Sequence, residues 1–119
     1  MSLQAADLSA FCLAAIFLAT GCWHLAKPAF FLGITPRWVP WPRCVNVLVA
    51  GFELLLVPGL AWPQSRPYAA WAAFAFFFAV VPVHLDMLRP GRDKGVPRWA
   101  LWLRLMLQIP LIVWAFSLR

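Results

Sequence analysis

Charge is what this chain has least of. Asp, Glu, Lys and Arg make up 12% of its 119 residues, and only four are acidic: Asp7, Glu53, Asp86 and Asp93. Soluble domains carry roughly twice that share of charge. With 64% hydrophobic residues and a mean hydropathy of +0.79, the composition excludes a soluble globular class and points to an integral membrane protein. Cysteine is also scarce. Cys12, Cys22 and Cys44 form no CxxC pair. Cys12 and Cys22 on one helix would stand ~15 Å apart, beyond disulfide reach. Cys22 and Cys44 can meet at one membrane face, but three small buried hydrophobes are the simpler reading. Dithiol redox chemistry is therefore not expected. The net charge of +6 does not imply nucleic acid, because basic residues beside apolar runs set topology and meet anionic headgroups.

What is present is apolar length. Runs at about 8–26, 43–62, 66–88 and 98–117 each match the ~20 residues that a helix needs to cross hydrocarbon. The expected fold is an all-α bundle of four transmembrane helices in a single integral membrane domain, 1–119, whose first partner is the lipid bilayer. No Lys or Arg precedes the first run, which argues against a signal peptide. Leu18-Ala19-Thr20-Gly21-Cys22 faintly resembles a lipoprotein cleavage site and reads better as small residues within a helix.

Punctuation divides the spans. Asp7 or Ser9 is expected to cap the first helix, and Lys27-Pro28 to end it. The connector 27–42 holds Pro28, Pro36, Pro40 and Pro42 among Phe30, Phe31, Trp38 and Trp41. It is too stiff and apolar for a free linker and should lie in the membrane interface. Pro42 suits the first turn of the second helix. Pro63 to Pro67 is a tight turn, making the second and third spans antiparallel neighbours. Pro82 removes a helical N–H, frees the Phe78 carbonyl and predicts a kink. Pro97 opens the fourth helix, and Pro110 lies inside it.

One segment has an echo. Pro36-Arg37-Trp38-Val39-Pro40-Trp41-Pro42-Arg43 recurs 61 positions on as Pro97-Arg98-Trp99-Ala100-Leu101-Trp102-Leu103-Arg104, and His24-Leu25 recurs as His84-Leu85. This points to two pseudo-repeated helical hairpins; the alternative is two interfacial helix starts built from one vocabulary. Basic residues are uneven too. Lys27, Arg37, Arg43, Arg89, Arg92, Lys94 and Arg98 flank the long loops, 27–42 and 89–97, against Arg66 and Arg119 on the other side. By the positive-inside rule the long loops are cytoplasmic and the termini outside.

The polar residues inside the spans carry the functional reading. Glu53 lies near the middle of its run, where a charge costs roughly 2.5–3.5 kcal/mol unless paired, protonated or facing a wet interior. Asn46 shares its face. Arg104 and Gln108 share a face of the fourth helix at i, i+4 spacing. His24 and Trp23, with His84 and Asp86, approach from the long-loop end, and no such group is expected in the half bounded by the short turn. These residues should form one pocket, open toward the long loops, with Glu53 as its floor. Glu53 with His24 or His84 supplies candidate acid–base groups; Arg104, Gln108, Asn46, Asp86 and Trp23 are candidate lining. Three bland alternatives stand beside this: Glu53 and Arg104 neutralising each other as a structural clamp, His24 hydrogen-bonding only the loop backbone, and Asp86 pairing with Arg89 or Arg92 in the headgroup zone. His24, His84 and Glu53 have the two-His-one-carboxylate ligand types, but no spacing is diagnostic and no metal is expected.

Several motifs then carry a resemblance. Gly21-Cys22-Trp23-His24, Pro28-Ala29-Phe30-Phe31 and Ile34-Thr35-Pro36 stand at the start. They are followed by Val39-Pro40-Trp41-Pro42, Ala50-Gly51-Phe52-Glu53-Leu54, Arg66 with Ala69-Ala70-Trp71, Val81 to Met87, and Trp102 to Gln108. In this order, over almost the whole chain, they resemble the DoxX-like membrane proteins. The resemblance implies a four-helix protein of a bacterial cytoplasmic (inner) membrane. It also implies a small subunit or accessory of a quinone-linked redox system, with quinone as cofactor and membrane oxidoreductase subunits as partners. His84 stands where such proteins often have Asn, which adds a titratable group to the pocket. A self-contained membrane enzyme or binder of an apolar small molecule, using Glu53 and His24 or His84, is the alternative. A proton-coupled transporter is the third, and four helices would then require a homodimer.

Overall fold

In the computed structural model, which describes residues 4–91 and 95–119, every regular element is a helix. They are α1 (Ala5–Ala26), α2 (Pro28–Ile34), α3 (Pro42–Ala61), α4 (Arg66–Ala79), α5 (Val81–Met87) and α6 (Arg98–Ser117). Four spans, with α4 and α5 as the two halves of the third (Arg66–Met87), are long and apolar enough to cross a membrane. The fold is thus the all-α bundle expected, and the chain is a multi-pass membrane protein. Arg92 and Lys94, which the charge asymmetry used, lie outside the described residues.

The interior faces follow helical spacing. Asn46, Ala50, Glu53, Leu56 and Leu60 form the buried stripe of α3, and Leu101, Gln108 and Ala115 that of α6, seven residues apart. On α1 the stripe is Ala10, Leu13, Ala14, Phe17 and Gly21. α1 packs along α3, α3 against α4, and α4 with α5 against α6. Between apolar helices in lipid, close approach comes from small side chains rather than from expelling water. Gly21 illustrates this: a Cβ there would meet Leu54 Cγ and Cδ2 at 2.9 Å and the Ala50 carbonyl at 3.4 Å. The three cysteines sit on the outer surface, not in the core as expected. Their positions fall off the interior stripes, so they face what surrounds the bundle.

The short-turn end is polar, contrary to expectation. Gln4, not Asp7 or Ser9, occupies the N-cap of α1, because the Asp7 carboxylate one turn in reaches back to the Gln4 N–H (3.1 Å). The other Asp7 oxygen accepts from Arg66 Nη1 at 3.0 Å. Arg66 also donates through Nε to the Leu60 carbonyl (2.8 Å) and through Nη2 to that of Ala61 (3.4 Å). Ser65 donates to the Gly59 carbonyl at 2.8 Å. These are end carbonyls of α3, which have no helical partner of their own, and a cation suits the negative end of the helix dipole. Trp114 Nε1 donates to Ser9 Oγ (2.8 Å), tying α6 to α1 at the same end.

The third span breaks at Val80, as Pro82 predicted. The connector also behaves differently from a plain interfacial loop. Pro28 at the first position starts α2, whose Phe30 and Phe31 fold back onto Trp23 (ring centroids 5.3 and 5.1 Å). The pairing of α1 with α3 and of α4–α5 with α6 makes two hairpins, but the Pro-Arg-Trp echo differs locally. Arg98 to Arg104 is helix, whereas residues 36–41 form turns ending at a left-handed Trp41 (φ 46°). Pro40 and Pro42 disfavour helical geometry at the residues before them, which accounts for the difference.

Two outcomes are expected. Gly21→Ala should destabilise the bundle by about 1–3 kcal/mol through overpacking, with partial recovery in the Gly21→Ala/Leu54→Ala double variant, read by thermal unfolding in detergent. Arg66→Met should cost about 1–3 kcal/mol by orphaning buried helix-end carbonyls, detectable by the same measurement.

Candidate functional site

The interior polar groups lie between two apolar layers. Toward the short turn, Phe17, Leu56, Leu60, Ala70, Ala73 and Phe77 belong to one packed cluster. Toward the long loops, Phe31, Ile34, Met87 and Leu101 form another. Between them is a cavity of about 320 Å³. Of the residues the sequence singled out, Glu53, His24, His84, Arg104, Gln108, Asn46 and Trp23 all line it. Thr20 lines it as well, beside the Glu53 carboxyl.

Asp86 does not join them. It is buried in a separate crevice with Arg37, Trp38 and Arg89, 3.6 Å from Arg89 Nη1. His84 and Asp86 are two apart, so they leave α5 in divergent directions and only His84 reaches the cavity. The long-loop end of the cavity is lined by residues of α2 and the segment after it. Phe31, Ile34, Thr35 and Pro36 roof that end, with the Phe31 ring stacked on the His24 imidazole at 3.6 Å between centroids. This roof was missed in sequence, although Pro28 followed by Phe30, Phe31 and Ile34 is a short amphipathic helix signal. Ile16, Trp23 and Leu107 line the cavity and are also 39–49% exposed, so its thin walls are on α1 and α6.

The polar contacts are specific. Asn46 Nδ2 donates to the His24 carbonyl (3.1 Å), which fixes the amide so that Oδ1 faces His24 Nδ1 at 2.7 Å. An amide oxygen only accepts, so Nδ1 carries the proton and a neutral imidazole presents Nε2 as a bare acceptor. That Nε2 lies 3.9 Å from Glu53 Oε1. Glu53 Oε2 and His84 Nδ1 are buried with no hydrogen-bond partner. Gln108 Nε2 donates to the Phe77 carbonyl at 2.7 Å, three residues before the break at Val80.

The Glu53–Arg104 clamp is not formed. The cation nearest Glu53 among the described residues is the His24 imidazole when protonated, and Arg104 Nη1 lies against Met87 Sδ, at 4.0 Å. Glu53 sits on α3 against α1, whereas Arg104 sits on α6 against α5, so the two face the cavity from opposite sides. Among the described residues no three His, Cys, Asp or Glu side chains gather closely enough to hold a metal ion.

The match to known sequences extends over residues 13–119, to a family described as a domain of unknown function, DUF8561. The chain belongs to the DUF8561 family. No curated protein and no solved structure matches it. The DUF8561 match carries no activity and leaves the DoxX-like resemblance where the sequence put it, so the reading of function falls to the cavity.

Gln108→Met should cost about 0.6 kcal/mol, and up to about 1.7, the range measured for hydrogen bonds between membrane helices. Thermal unfolding of the variant beside the wild type checks this.

Proposed function

We propose that this chain is an intramembrane ligand-binding protein for an apolar small molecule with a polar head, serving as a small subunit or accessory of a quinone-linked redox system. The observation that carries the first part is the cavity itself. Its volume of about 320 Å³ falls within the range of small-molecule pockets, and its walls are mostly apolar with a few convergent polar groups. Glu53 and His84, both more than nine-tenths buried, line it, and each has a buried polar atom without a protein partner. Such orphans cost free energy that a ligand can return. Thin walls of Ile16, Trp23 and Leu107 favour entry from the lipid, which suits a molecule already dissolved there. The redox setting rests on the resemblance to DoxX-like proteins, as do the bacterial inner membrane and oxidoreductase partners. Cytoplasmic long loops with outside termini rest on the basic residues around those loops.

A second reading is favoured by one observation. Asn46 holds His24 so that its free nitrogen faces the Glu53 carboxyl at 3.9 Å, the arrangement of an oriented base beside an acid. On this reading the protein is a self-contained enzyme acting on the same apolar molecule.

Lipid extraction of the protein purified in mild detergent should release a quinone or similar amphiphile in stoichiometric amount. Repeated extraction yielding none, with no oxidoreductase co-purifying, overturns the redox reading. Glu53→Gln should fold as the wild type does and retain at least tenfold less of that ligand, by mass spectrometry of the extract. If Glu53→Gln unfolds the bundle instead, Glu53 is structural.

A further inference from the structure

The narrowest constraint in the cavity is the pair of acceptors contributed by α1 and α3. His24 Nδ1 is committed to Asn46 Oδ1, and the Asn46 amide is in turn fixed by the His24 carbonyl. The imidazole therefore turns a lone pair toward the Glu53 carboxyl, and the two atoms stand 3.9 Å apart. That separation is too long for a direct hydrogen bond, even with a proton on either group. The Thr20 hydroxyl, 3.3 Å from the Phe17 carbonyl, also lies against the carboxyl and is the one protein donor at hand for it among the described residues. Glu53 Oε2 has no donor at all. The whole arrangement is short of donors, and it is walled by apolar side chains. A hydroxyl oxygen placed against both atoms can serve every protonation state. With His24 neutral it donates to the carboxyl or to Nε2. With an imidazolium facing a carboxylate it accepts from one and donates to the other. A ketone or ether oxygen only accepts: it can take a hydrogen bond from whichever member of the pair is protonated, but it leaves the facing acceptor without a donor.

We propose that the His24–Glu53 pair selects a ligand whose head carries a hydroxyl, of the long-tailed phenol or quinol class, over the matching quinone or methyl ether. This rests on the ligand-binding reading above and deepens it: the bound form would be the reduced, proton-bearing one.

The test uses the full chain in lipid nanodiscs, with protein-free nanodiscs correcting for partition of each probe into lipid. The probes are 4-decylphenol, 4-decylanisole and decyl-1,4-benzoquinone, titrated by isothermal calorimetry. The expected result is at least tenfold tighter binding of the phenol than of the anisole or the quinone. Glu53→Leu should bring phenol and anisole to within about threefold of each other. Equal affinity of all three probes for the wild type, or tighter binding of the quinone, overturns the selection while leaving a binding protein; equal affinity means that water alone serves the acceptors. Binding of none of the three overturns the ligand-binding reading and the selection with it. A preference that survives in Glu53→Leu overturns the assignment to this pair. Should Glu53→Leu fail to fold, by size-exclusion profile and thermal unfolding, the wild-type series decides on its own.

Discussion

Everything in the interior of this bundle answers to one constraint: a polar group surrounded by hydrocarbon must find its partner inside the protein. Asn46 meets it twice, with the ring and the carbonyl of His24. Gln108 meets it at the Phe77 carbonyl, near the break in the third span. These two amides bind α3 to α1 and α6 to α4, one contact in each hairpin. Among the described residues Glu53 and His84 are the exceptions, each with a buried atom that has no hydrogen-bond partner. Buried orphans are rare in folded proteins, and both of these belong to residues that line one cavity.

The two ends of the molecule are built by different means. At the short-turn end, Arg66 gathers the Asp7 carboxylate and the last carbonyls of α3, and Trp114 reaches Ser9. At the long-loop end Asn46 holds His24, and Arg89 pairs with Asp86. Aromatic stacking is added there, with α2 laid back on Trp23 and His24 through Phe30 and Phe31. The cavity lies between the two ends.

Much of this was legible from residue order, because four apolar runs of about twenty residues have few alternatives in a membrane. Their ends fell within three residues of those observed. The convergence of His24, Asn46, Glu53, His84, Arg104 and Gln108 was legible for a related reason: depth along a helix follows from counting residues. Counting gives depth but not azimuth across the bundle. That is why Glu53 and Arg104 looked like a pair while lying across the cavity from one another. It is also why Asp86, one residue from the helix end, looked like part of the pocket. Arg66 was missed because a lone Arg beside a turn reads as a headgroup anchor, and nothing in sequence shows that it folds over the end of α3. The α2 roof was hidden by prolines that read as loop.

The stacking at the long-loop end has a mechanical consequence. The aromatic side chains of the long-loop end answer to the bilayer as well as to the protein. A thinner bilayer draws interfacial aromatics inward and a thicker one draws them out, at modest cost per ångström. Trp38 and Trp41, 67% and 79% exposed beyond the roof, are such handles. Membrane thickness thus acts on the roof of the cavity, which gives the lipid surroundings leverage over the space that Glu53 faces.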